Sequence, residues 1–295
     1  FFDQKLGRYV LYTRSSILAT TPDKRSANRM MARVESDDVV HWRNEQTVLD
    51  TDDRDAVAAG TVNDAKTPQG EEYPRGRDGQ FYGMIVRPYQ NLYLGFAQYY
   101  DVVPGRMWCE LVYSYDGIDW KREPKREPFI ALGDKGAWDS GMVMWIPKGC
   151  PFPVGDDWYF YYSGSNFNHH AKAVAMAEKG QILALGIVRL KRGRLVGYTA
   201  GKKPGYLLTK PFVVNGSIIA VNANAKSGKL LVEVCDHLGR GLNELGLAEA
   251  VPIREDGLRL AVRFKGAGSL EKCRGQTIRL RMQLSNASVY GLAFG

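Results

Sequence analysis

Three carboxylates stand where acid–base chemistry could use them. Asp139 lies in Trp138-Asp139-Ser140-Gly141-Met142. The indole beside it could stack on a ligand ring or cover the carboxylate. An apolar neighbour tends to raise a carboxyl pKa, which suits a general acid. Asp139 could equally stabilise transition-state charge, or simply cap a tight strand start. Glu110, in Trp108-Cys109-Glu110-Leu111, and Asp78, in a Gly/Arg-rich loop, are possible substitutes. The bland alternatives are a paired strand residue for Glu110 and a solvated turn residue for Asp78.

Polar and aromatic residues nearby supply candidate binding groups. Gln80 and Tyr82 flank Phe81, and Arg87 and Tyr89 close the same segment. Arg87 suits an acidic or hydroxylated ligand, or a packing role between sheets. Ser163-Gly164-Ser165 runs into Asn166-Phe167-Asn168-His169-His170. A Gly/Ser-rich strand end followed by Asn166, His169 and His170 suits a loop that hydrogen-bonds hydroxyls; an ordinary loop is the even alternative. A metal reading is weak, because adjacent histidines rarely face one ion and no carboxylate lies at ligand spacing. No metal and no cofactor are expected.

The elements that must position these groups read as strands. Tyr9-Val10-Leu11-Tyr12, Leu92-Tyr93-Leu94-Gly95 and Trp158-Tyr159-Phe160-Tyr161-Tyr162 are aromatic and β-branched runs, each preceded by turn residues. The only long helix-compatible stretch, 171–185, is interrupted by Gly180. Two repeats organise the strands. Ser36-Asp37-Asp38-Val39-Val40-His41-Trp42 and Ser114-Tyr115-Asp116-Gly117-Ile118-Asp119-Trp120 both read S-x-D-x-x-x-W. The Asp tightens a turn by accepting backbone amides, and the Trp covers the hairpin end. Phe81-Tyr82-Gly83-Met84 and Asp139-Ser140-Gly141-Met142 share a G-M strand start. The repeating unit is a four-stranded antiparallel blade. The run Ile187–Tyr198 is expected to form the third strand and hairpin of a last, degenerate blade.

Beyond Gly201-Lys202-Lys203-Pro204-Gly205 the pattern changes. Leu230–Val234, Leu258–Phe264 and Thr277–Met282 alternate with period two and set Arg on the wet face. Half-buried antiparallel strands of this kind suit a β-sandwich. The expectation is therefore an all-β chain: about three blades over 1–205, then a sandwich over 206–295. The chain has 295 residues and a net charge of +8, unevenly spread: residues 171–295 carry 20 basic and 8 acidic side chains. The basic residues are dispersed, and no recognition helix, RNP sequence or zinc finger appears, so nucleic acid is a poor partner. No apolar run approaches the ~20 residues of a membrane span. The four cysteines form no C-x-x-C pair. No signal peptide is visible, and the compartment and oligomeric state stay open.

The S-x-D-G-x-x-W hairpin, the G-M strands, Trp138–Met142 and the trailing sandwich resemble the five-bladed β-propeller glycoside hydrolases, family 32-like (invertase, levanase and arabinanase relatives). The resemblance covers nearly the whole chain. It implies a partial five-bladed propeller whose earlier blades lie upstream, since only about three blades fit into 1–205; the absence of Asn-Asp-Pro and Arg-Asp-Pro leaves lost upstream sequence and a divergent site both open. It also implies cleavage of a furanoside-type or related glycan by two carboxylates flanking an oxocarbenium-like transition state. Asp139 would be one, with Glu110 or Asp78 as stand-ins for the other. The family often carries an acid before the aromatic of the Phe81 strand; Gln80 departs from that. The departure favours an alternative, a carbohydrate-binding or catalytically degenerate propeller. Dispersed sandwich arginines suit an anionic glycan as partner.

Overall fold

The computed structural model describes residues 1–15, 29–52, 54–55, 79–102, 104–144, 146–147, 149–169, 180–266 and 270–295. Asp78, His170 and most of the helix-compatible stretch lie outside these residues. Among the described residues, helix is confined to one turn at Arg54–Asp55 and two 3-10 turns, and no helix is long and apolar enough to cross a membrane. The chain is all-β and divides into two compact units: Phe1–Pro151 with Phe160–Val188, and Phe152–Tyr159 with Arg189–Gly295.

The first unit holds the blades. Strands β1 (Phe2–Asp3), β2 (Arg8–Ser15), β3 (Met30–Ser36) and β4 (Arg43–Leu49) form one antiparallel meander. Strands β5 (Gly79–Tyr89), β6 (Leu92–Asp101), β7 (Arg106–Ser114) and β8 (Lys121–Arg122) form a second. Further on in this unit, β9 (Met142–Met144) pairs with the Ser163–Ser165 end of β11 (Asp157–Ser165); β10 (Phe152–Val154) pairs with Asp157–Tyr159 in the second unit, and β12 runs over Leu183–Lys191. A parallel bridge between Met107 and Met142 joins β7 to β9. Met31, Leu49, Phe81, Met84, Tyr99 and Val112 pack the first two meanders together.

The two S-x-D-x-x-x-W turns are chemically the same. Asp38 Oδ1 accepts the amides of Val40 and His41 at 2.9 and 2.8 Å. Asp116 Oδ1 accepts those of Ile118 and Asp119, both at 2.8 Å. Trp42 Nε1 donates to Val39 O and Trp120 Nε1 to Gly117 O. The fourth residue of each motif is left-handed, at φ 77° for Gly117 and 60° for Val39, which glycine adopts at no steric cost and a β-branched residue does not.

The Asp116 turn carries a pH signature. Amide donation from Ile118 and Asp119 holds the Asp116 carboxyl below its ordinary value of 3.8. A depressed folded-state pKa gives stability that is present above the unfolded value and lost as pH falls through the folded one. Asp116→Asn should therefore melt below the wild type at neutral pH, and the gap should close as pH drops below about 4. A gap that stays constant from pH 7 to 2.5 would refute this role.

The second unit is a sandwich. One sheet pairs β13 (Tyr198–Ala200), β20 (Ala287–Phe294), β16 (Ile219–Asn224) and β18 (Asp256–Ala261). The other pairs β14 (Gly205–Leu208), β15 (Phe212–Val213) and β17 (Lys229–Asp236) with β19 (Thr277–Ser285). Along β19, Ile278, Leu280, Met282 and Leu284 are buried while the alternating Arg279, Arg281 and Gln283 are only partly so. They meet Val221, Ala223, Leu230, Val232, Val234 and Val289 in one core. Tyr198–Ala200 pairs with β20, so this stretch, read from sequence as blade, supplies a sandwich strand ahead of residue 205.

Candidate functional site

Asp139 sits in a turn, with β9 starting only at Met142. Ala137 O accepts the Ser140 amide at 3.2 Å, which closes a turn over 137–140, and the Gly141 amide donates to Ser165 O at 2.8 Å, next to the first ladder pair Met142–Ser165. The expected position at the head of the strand is thus shifted three residues upstream. Asp139 is only 9% exposed. Tyr162, which reaches it from β11, donates its phenol to Asp139 Oδ2 at 2.7 Å. Burial first, and then this carboxylate, push the Tyr162 pKa up to about 12. The phenol therefore stays protonated, and a donor, throughout the physiological range. Trp138 stacks on the same Tyr162 ring, centroids 5.7 Å apart at 26°.

Two glycines leave room for this arrangement. A Cβ at Gly133 would lie 2.1 Å from Asp139 Oδ1. A Cβ at Gly164 would lie 2.8 Å from Asp139 Cβ and 2.9 Å from the Trp138 ring. Gly164→Ala must push both side chains aside, and overpacking of this kind costs about 1–3 kcal/mol. Its urea midpoint should fall accordingly and saccharide turnover or binding should fall with it. Gly201→Ala is the control, because a Cβ there meets nothing within 4 Å. Equal behaviour of the two variants would exclude a tight fit around Asp139.

A second cluster forms around Tyr82 on β5. Its ring meets Tyr100 edge-on at 5.9 Å and His169 at 5.2 Å. His169 Nε2 lies 3.2 Å from the Tyr82 hydroxyl. The β6–β7 turn sets that histidine: the His169 amide donates to Gly105 O at 2.7 Å, and Asn168 Nδ2 to Pro104 O at 3.1 Å. Buried Gln80 accepts Arg29 Nη1 at 2.7 Å through its amide oxygen. The structure thus groups Gln80, Tyr82 and His169, and separately groups Trp138 with Asp139. The Gly141–Ser165 hydrogen bond ties the Trp138–Asp139 turn to the strand end that leads to His169.

The other candidates belong to neither cluster. Both Glu110 oxygens are taken by Arg122, at 2.8 and 2.9 Å, in a buried ion pair. Arg87 donates to the carbonyls of Gly149 and Cys150, pinning a loop. Asn166 spends its amide on the backbone, donating to Gly180 O and accepting from the Ile182 amide. Among the described residues no group of three or more His, Cys, Asp or Glu could hold a metal. Sequence reasoning missed Tyr162, Tyr100, Arg14 and Arg29. Tyr162 was legible as a strand residue only. The two arginines are distant in sequence from β5 and carry no motif.

No protein-family model and no curated protein matches the chain. Among solved structures it is similar to an N-acetylgalactosamine deacetylase from F. plautii, at 14% identity over 66% of this chain and 49% of that one, with a TM-score of 0.41. It is also similar to a glycoside hydrolase, at 11% identity over 63% and 44% with a TM-score of 0.36. A third is the GH32 beta-fructofuranosidase of Bombyx mori, at 11% identity over 97% and 76% with a TM-score of 0.34. The chain spans about half the length of the first two. These neighbours are carbohydrate-active proteins, but likeness at this level concerns the all-β fold, and the functional reading rests on the site itself.

Proposed function

We propose that the chain acts on carbohydrate as a glycoside hydrolase of the propeller type, on a furanoside-type or related glycan, anionic glycans included. The observation that carries this reading is Asp139: a nearly buried carboxylate, hydrogen-bonded by a protonated phenol on which the Trp138 indole stacks. Such a group can give or take a proton at a glycosidic oxygen or face a developing oxocarbenium ion. Tyr82 and His169 supply a ring face and a hydrogen-bonding edge for the sugar. The domain assignment is a catalytic propeller followed by a supporting sandwich that takes in Tyr198–Ala200 ahead of residue 205.

A binding-only reading is favoured by one specific observation. Glu110 is neutralised on both oxygens by Arg122, and so is no free partner for Asp139. The test is incubation with arabino- and fructo-oligosaccharides, followed by reducing-sugar release and calorimetric binding. Release of sugar supports hydrolysis. Binding without release supports the degenerate reading, and neither result occurring would remove carbohydrate from both.

A further inference from the structure

The Tyr82 ring carries two guanidinium groups at once. Arg14 lies 4.9 Å and Arg29 5.4 Å from its centroid, and Arg29 lies 5.6 Å from that of Tyr100. Donation from the Phe81 amide to Arg29 O at 2.9 Å fixes the backbone there, and Gln80 orients the guanidinium. His169 stands against the same two tyrosines, 4.8 Å from the Tyr100 ring.

Charge balance sets this cluster apart. Arg122 also covers two aromatic rings, Phe81 and Tyr99, but two carboxylates neutralise it. No ion pair joins Arg14 or Arg29 to a carboxylate among the described residues. Two like charges gathered on one ring repel unless an anion sits between them. Two arginines of β19 are committed differently: Arg279 donates to Thr209 O at 2.9 Å, and Arg281 pairs with Glu233 at 2.5 Å.

We propose that Arg14, Arg29 and Tyr82 form a subsite for the acidic substituent of a sugar. This rests on the saccharide reading above and adds the ligand's charge to it. A guanidinium fork matches the planar oxygens of a carboxylate or the oxygens of a sulfate ester. The tyrosine rings give the sugar an apolar face beside that fork. The anion-reading group of the molecule then lies on β2, β5 and the residue preceding β3, in the first unit.

The test is calorimetric titration of the chain with oligogalacturonate, a sulfated galactan fragment and neutral fructo- and arabino-oligosaccharides. At least one acidic probe should bind about tenfold or more tightly than the neutral ones. The tighter of the two acidic probes identifies the oxyanion. Arg14→Gln and Arg29→Gln should each bring the acidic-to-neutral affinity ratio toward one, and Arg29→Lys should retain part of it. Arg14 is exposed, so its variant reads binding without a folding defect. Equal binding of acidic and neutral probes, or a preference that survives both Gln variants, would overturn this subsite and leave the saccharide reading standing. Failure to bind any saccharide would overturn both.

Discussion

Asp139→Asn should lower glycoside hydrolysis by about 10²–10⁴-fold, the usual worth of a positioned acid–base group. Asparagine keeps the shape, and its Oδ1 can still accept the Tyr162 phenol, so the turn from Gly133 to Gly141 and the Trp138 stack should persist. The urea midpoint should therefore stay near that of the wild type while turnover collapses. Tyr162→Phe separates the two functions of the pair. It removes the hydrogen bond but leaves the carboxylate and the ring stack, so turnover should fall less than in Asp139→Asn. Wild-type turnover in Asp139→Asn would end the assignment. Retained saccharide binding with no wild-type turnover to lose would favour the degenerate reading.

What the sequence made legible follows from how local each signal is. The S-x-D-x-x-x-W turns are closed by bonds spanning two or three residues, so their residue types alone define them. The β19 alternation is equally local and places Ile278, Leu280 and Met282 inside without reference to any partner. Asp139 was legible because Trp138 adjoins it in the chain. Tyr162 was not, because its role depends on β11 pairing with β9, which brings a residue 23 positions away to the carboxylate. Arg14 and Arg29 needed the approach of β2 and the residue before β3 to β5, and nothing in their neighbours announces it. Glu110 shows the reverse case. Trp108-Cys109-Glu110-Leu111 left Glu110 open between a stand-in acid and a paired strand residue, and the pairing is seen only where β8 returns Arg122 across β7 and fills both oxygens.

That same ion pair gives the largest stability effect to be expected. Arg122 donates to Glu110 through Nε and Nη2 and to Asp55 through Nη1, the last at 2.5 Å. All three side chains are at most 5% exposed. The Arg122 guanidinium also lies 4.9 Å from the Phe81 centroid and 5.3 Å from that of Tyr99, so removing it uncovers the core where the first two blades meet. Burial alone would lower the Arg122 pKa, but the hydrogen bonds it donates to Glu110 and Asp55 raise it overall, so the charge is retained at every accessible pH. Arg122→Met keeps the volume and leaves two carboxylates buried without their cation. Breaking a buried pair from one side costs about 3–5 kcal/mol. Chemical denaturation should show a midpoint lowered to match, with an unchanged slope. Adding Glu110→Met and Asp55→Asn to that variant removes the stranded charges and should recover most of the loss, because apolar replacement of a whole buried ion group is often neutral. If Arg122→Met alone costs under about 1 kcal/mol, the range for exposed pairs, then Glu110 is not locked and regains its claim as a second acid beside Asp139.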